Sequence, residues 1–280
     1  MYFKKFLSVF SRLKSIPHND NELNDETWFT KQPCAKLRIA SKEIVITQPL
    51  STFWVYLLGV LTVGVGLYFF AIQNGEKSRL WWGISLLLWG IGALLAGTSY
   101  QAFGYAIKCK GREKCAWTSW WEVIYLMFQQ VSMNALLVAV AYSCTTGTLQ
   151  TVLLWYALII SVGYIILAFI GGIVPIKSLI TFELMVWIST PAFVFLFLLN
   201  VWRCYAFGYF MDILLLGCWL ILFCSMMAYW MYYKKGITDK LWRKGLWFSE
   251  NDVLHVTLIV WIVYIAVYLA KHITDYNMIF

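Results

Sequence analysis

Near the end of the chain the run Glu250–Val256 reads ENDVLHV, and it opens an otherwise apolar stretch. Carboxylates, an amide and an imidazole packed into two helical turns have the chemistry to bind a cation, relay a proton or ligate a metal. Similar groups sit in other apolar stretches: Ser99 and Gln101 in GTSYQAFGY, then Glu122, Gln129 and Glu183. A charged side chain inside a membrane helix costs about 2.5–3.5 kcal/mol on insertion scales unless it is paired or wetted, so each such residue marks a functional position by default.

Glu122, Tyr125, Gln129 and Ser132 follow i, i+3, i+7, i+10 and share one helical face. At about 1.5 Å per residue that stripe runs from one interface to roughly the bilayer midplane. The spacing therefore predicts a wet cavity open to the cytoplasm, lined by Gln101, Glu122, Gln129, Glu183, Asn251, Asp252 and His255. Each residue also has a structural reading. Ser249 and Asp252 fit a capping box, Gln129 and Ser132 suit interhelical hydrogen bonds, and Glu122 and Glu183 suit interfacial acids.

The elements that must position these groups follow from composition. Of 280 residues 61% are hydrophobic and 13% charged, with a mean hydropathy of +0.69, far outside the soluble range. Seven stretches are long and apolar enough to cross about 30 Å of hydrocarbon: about Phe53–Ile72, Leu80–Ile107, Trp117–Tyr142, Thr148–Ile170, Ser178–Leu199, Phe207–Tyr233 and Asp252–Ala270. The predicted fold is an all-α, polytopic seven-helix bundle over residues 51–280, multi-pass in the cell (inner or plasma) membrane. Short connections at about Ser143–Gly147 and Asn200–Cys204 imply antiparallel neighbours, and Pro191 predicts a kink in the fifth stretch.

Eighteen of the 22 Lys and Arg residues fall in the leader and in the loops after the second, fourth and sixth stretches. That asymmetry predicts a cytoplasmic N-terminus and an external C-terminus. It also accounts for the net charge of +8 through topology and anionic inner-leaflet lipid, with no nucleic-acid partner required. Residues 1–50 form a polar leader. Phe3, Phe6, Leu7, Phe10 and Leu13, interleaved with Lys4, Lys5, Arg12 and Lys14, read either as an amphipathic helix lying in the interface or as a frayed basic segment. The seven cysteines show no CxxC pair, and Cys109 and Cys115, bracketing a loop assigned to the cytoplasm, are expected to stay reduced. Tryptophans at 81, 82, 117, 120, 121, 202, 242 and 247 read as interfacial anchors.

Seven spans, the serine-bearing GTSYQAFGY, an acid early in the third span and ENDVLHV opening the seventh resemble the superfamily that joins alkaline ceramidases with the progestin and adiponectin receptors. In that superfamily a helix-seven H-x-x-x-H pair, a helix-two histidine and a nearby acid and serine hold a zinc ion whose water cleaves a lipid amide. The resemblance puts Asn251 and His255 at the helix-seven pair and Gln101 at the helix-two histidine, so two of three imidazoles are missing. Amides are poor zinc ligands; a metal here would need His255 with carboxylates such as Glu122 and Asp252.

Three functions are compatible with these residues. The first is a channel- or transporter-like protein binding or conducting a cation or proton through the acidic cavity. The second is a metal-dependent lipid amide hydrolase acting through His255 and Ser99. The third is a serine hydrolase with Ser99 as nucleophile and His255 as base. A homo-oligomer with a central pore and a monomer with an internal cavity are both compatible with the first.

Overall fold

The computed structural model describes residues 12–39 and 42–276; the leader residues Phe3, Phe6, Leu7 and Phe10 lie outside them. Seven helices are long and apolar enough to span a membrane, one for each predicted stretch. After α1 (Asp25–Lys31) and a hairpin of β1 (Cys34–Ile39) and β2 (Lys42–Thr47), the first three spans are α2 (Pro49–Ala71), α3 (Lys77–Ala96) and α5 (Trp120–Cys144), with the short α4 (Gly104–Lys108) before α5. The remaining spans are α6 (Gly147–Ile173), α7 (Phe182–Phe207), α8 (Phe210–Lys234) and α10 (Glu250–Tyr264), and α9 (Ile237–Trp242) links the last two.

Six spans close a ring in which α2 packs on α3, α3 on α5, α5 on α7, α7 on α8, α8 on α10 and α10 back on α2, while α6 stands outside against α5. Burial follows this arrangement: 67% of the apolar window of α5 is buried, against 22% for α6, whose Trp155, Ile159 and Ile166 stay exposed. The α2–α3 seam is close because it is built from glycine. A Cβ added at Gly90 would sit 2.8 Å from the Gly59 carbonyl oxygen and from the Val63 nitrogen, the small-residue contact by which membrane helices gain packing.

The described part of the leader, from residue 12 on, forms a cap on one end of the bundle. β1 and β2 pair antiparallel, with Cys34 opposite Thr47 and Lys36 opposite Val45, and Trp28 of α1 is 3% exposed and donates from Nε1 to Thr47 Oγ1. Main-chain bonds from Asp20 N to Cys115 O, Cys115 N to Leu23 O and Trp117 N to His18 O lace this segment to the loop before α5.

Four expectations need correction. The predicted loop at Asn200–Cys204 is helical: α7 runs on through Pro191 to Phe207 and stops only at Gly208, φ +65°. Arg203 can stay buried on that helix because Asp212 neutralises it. The second predicted stretch breaks at Phe103, after the wider π-helical turn Gly97–Ala102 that follows α3. Trp82 is core rather than anchor, fully buried and stacked on Phe69 at 5.7 Å; Trp121, Trp202 and Trp247 are exposed as anchors should be. Finally, Cys109 and Cys115 are joined in a disulfide that closes the loop after Lys108.

Candidate functional site

Glu122 enters in the first turn of α5, on the capped end of the bundle, and is 1% exposed. Its carboxylate is heavily used. Oε1 accepts from Ser99 Oγ at 2.8 Å and from Lys108 Nζ at 2.8 Å, and Oε2 accepts from Thr118 Oγ1 at 2.9 Å. Ser99 in turn lies 2.7 Å from Ser119 Oγ, so with Ser99 donating to the acid, Ser119 donates to Ser99. Lys108 is 8% exposed and its ammonium also lies 5.0 Å above the Tyr100 ring.

The local sequence explains the convergence. The π-helical turn Gly97–Ala102 widens the end of α3, a distortion found often at functional sites, and carries Ser99 towards α5. Gly104 lets α4 turn tightly beneath it: a Cβ there would meet Ser99 O at 2.8 Å. Thr118 lies just before the Ser119 N-cap of α5 and reaches Glu122 from outside the helix. Just outside the buried centre, the Tyr105 hydroxyl donates to Asp25 Oδ1 at 2.6 Å, and that bond to a carboxylate, with some burial, pushes the phenol up to about 12.

The other predicted residues do not join Glu122 through hydrogen bonds. Gln101 is 6% exposed with its Oε1 unpartnered. Gln129 donates to the Trp89 carbonyl at 3.2 Å, and Ser132 and Ser85 exchange bonds to each other's carbonyls at 2.8 Å, so both act as α3–α5 ties. Glu183 lies exposed in the first turn of α7. Asn251 is half-buried. Asp252 completes a capping box with Ser249, and Ser249 meets Ser51 at 3.2 Å. His255 is half-buried, with Nδ1 unpartnered.

The predicted metal set His255, Glu122 and Asp252 is therefore not assembled, and among the described residues no three His, Cys, Asp or Glu side chains are grouped to hold a metal. The zinc implied by the resemblance does not fit these residues. Glu122 has its oxygens committed to an ammonium and two hydroxyls, Asp252 spends Oδ2 on a helix cap and keeps only Oδ1 unpartnered, and Gln101 and Asn251 offer amides. Nor do the predicted lining residues share the open cleft of about 480 Å³ at the cap, which is bordered instead by residues such as Asp20, Gln48, Trp117 and Trp242.

Lys108, Thr118 and Ser119 were not anticipated: Thr118 precedes the N-cap of α5, where helical spacing gives no signal. Also unanticipated is the polar knot at the far end of α5, where buried Arg203 and Asp212 pair beside Asn200 and Cys144. A lone arginine nine positions before a lone aspartate in apolar surroundings is its trace in the sequence. Comparison with protein-family models, with curated proteins and with solved structures found no match. What the Glu122 centre can do follows from its own chemistry: it holds one negative charge against one internal cation, and it ends a chain of hydroxyls able to pass a proton.

Proposed function

We propose that this integral membrane protein takes up a proton or a small cation at Glu122, from the capped end of the bundle, in a channel- or transporter-like role. The observation that carries the reading is the 2.8 Å contact between Lys108 Nζ and Glu122 Oε1, made where both side chains are almost sealed from solvent. A proton arriving on Glu122 neutralises it and releases the ammonium; a metal cation competes with the ammonium for the same oxygen. Removing either partner leaves a buried charge uncompensated, so uptake and movement of Lys108 are coupled. Ser119 and Ser99 lead to that oxygen, and Gln129, Ser85 and Ser132 continue the polar seam between α3 and α5.

The test is flux into proteoliposomes loaded with a pH-sensitive dye or a cation indicator. The wild-type protein should dissipate an imposed gradient and Glu122→Gln should not. Flux that is absent from the wild type, or unchanged by the substitution, overturns the reading.

Kinship with the alkaline ceramidase and receptor superfamily is likewise a proposal, resting on GTSYQAFGY, Glu122 and ENDVLHV. It favours a second reading as a lipid amide hydrolase. Its specific support is a Ser99 hydroxyl 2.8 Å from a carboxylate able to take its proton. Ceramide hydrolysis abolished in Ser99→Ala would select it.

A further inference from the structure

An open cleft of about 480 Å³ between the cap and the loops beside it lies within the range of small-molecule sites, about 300–1,000 Å³. Two carboxylates, Asp20 and Glu22, and two ammoniums, Lys31 and Lys177, border it. Glu22 and Lys31 consume each other in a 2.7 Å ion pair. Asp20 accepts at Oδ1 from the Glu22 and Leu23 amides, at 2.8 and 3.1 Å, and among the described residues it makes no ion pair. Lys177 lies 5.1 Å from the Trp117 ring and likewise pairs with no carboxylate among them. One unmatched charge of each sign thus borders a single cleft.

Two of its lining residues also bury a polar atom behind its surface. The Trp242 Nε1–H and the Gln48 Oε1 are buried without partners, one a donor and one an acceptor. Gln48 is held at φ +46°, a left-handed conformation costly for a residue other than glycine, with its Nε2 tied to Gln32 Oε1 at 3.1 Å. The position of the cleft narrows the ligand. Trp117 precedes the third span, Lys177 begins the fifth and Trp242 ends the helix before the seventh, so the site lies at headgroup level, where tryptophan concentrates.

We propose that this cleft binds the headgroup of a zwitterionic glycerophospholipid, its ammonium directed to Asp20 and its phosphodiester to Lys177. The inference goes beyond the Glu122 reading and does not depend on it. Full-length protein in detergent is titrated with short-chain phosphatidylethanolamine and, separately, with phosphatidylglycerol, and tryptophan fluorescence reports binding. The wild type should prefer phosphatidylethanolamine. Asp20→Asn, whose amide oxygen still accepts the two turn amides, should erase that preference, and Lys177→Gln should weaken both lipids roughly tenfold, the weight of one charge-assisted hydrogen bond. Equal or tighter binding of phosphatidylglycerol by the wild type, or a preference that survives Asp20→Asn, overturns the proposal. Soluble glycerophosphoethanolamine separates headgroup from chains: displacement of bound lipid by it supports the site, and no displacement at large excess places binding in the acyl chains and refutes it.

Discussion

Arg203 Nε lies 2.9 Å from Asp212 Oδ1, with the two residues 1% and 0% exposed. The guanidinium also donates from Nη1 to the Cys144 carbonyl at 2.7 Å and faces the Tyr276 ring at 4.8 Å, so one side chain ties α7 to α8, to the end of α5 and to the C-terminal tail. Removing one member of a buried pair costs about 3–5 kcal/mol because the other charge is stranded, whereas replacing both with apolar residues is often near neutral. Arg203→Met and Asp212→Leu should each lower the thermal midpoint steeply in detergent, and the double variant should recover much of the loss. Additive losses in the double variant would refute this account.

The glycine seam gives a paired test. Gly90→Ala forces a methyl against Gly59 O and Val63 N, while Gly64→Ala places one where nothing lies within 4 Å. Overpacking of this kind costs about 1–3 kcal/mol, so denaturation should show Gly90→Ala destabilised and Gly64→Ala close to the parent. Equal behaviour would mean that α2 and α3 do not approach as described.

Tyr105 supplies a pH signature for the cap. Its phenol titrates near 12, first because it donates to Asp25 and then because of burial, against about 10 in an unfolded chain. The folded state therefore holds this proton more tightly. The contribution to cap stability is complete below about pH 10 and is lost as pH rises through about 12. Tyrosinate absorbance should reveal the late titration, and Asp25→Asn should move it back towards the ordinary value. A late titration unaffected by Asp25→Asn would assign it to another tyrosine.

The disulfide is checked by counting thiols. Cys34, Cys144, Cys204, Cys218 and Cys224 are unpaired, so mass-tagging of the denatured protein should find five thiols before reduction and seven after. Seven in both samples would return Cys109 and Cys115 to the reduced state anticipated from their basic loop.

The spans were legible because twenty-odd apolar residues have few other uses, and the structure follows them to within a few residues at most ends. The capping box at Ser249 was legible too, since it rests on a fixed short spacing. The shared cavity was not. Residues on one face of α5 meet whichever helix lies opposite, and periodicity does not name that helix: Glu122, Gln129 and Ser132 meet the α3 side, while Gln130 bonds Ser189 of α7 and Asn134 bonds Ser161 of α6. Lys108 escaped notice because a lysine in a basic loop reads as a topology signal, and its ion pair depends on a backbone reversal between Cys109 and Cys115 that side-chain pattern does not encode.

The lacing of residues 18–23 to residues 115–117 sets an order of assembly. Residues 18–23 leave the ribosome before residues 115–117, so the backbone that completes the cap is synthesised only after two spans have been made. Until then the His18 carbonyl, the Asp20 amide and the Leu23 carbonyl lack their main-chain partners at residues 115–117. Closure of the cap is therefore a late event that reports insertion of the first helical hairpin, and a ribosome stalled before residue 115 should expose the leader to protease while one stalled well beyond it should protect it.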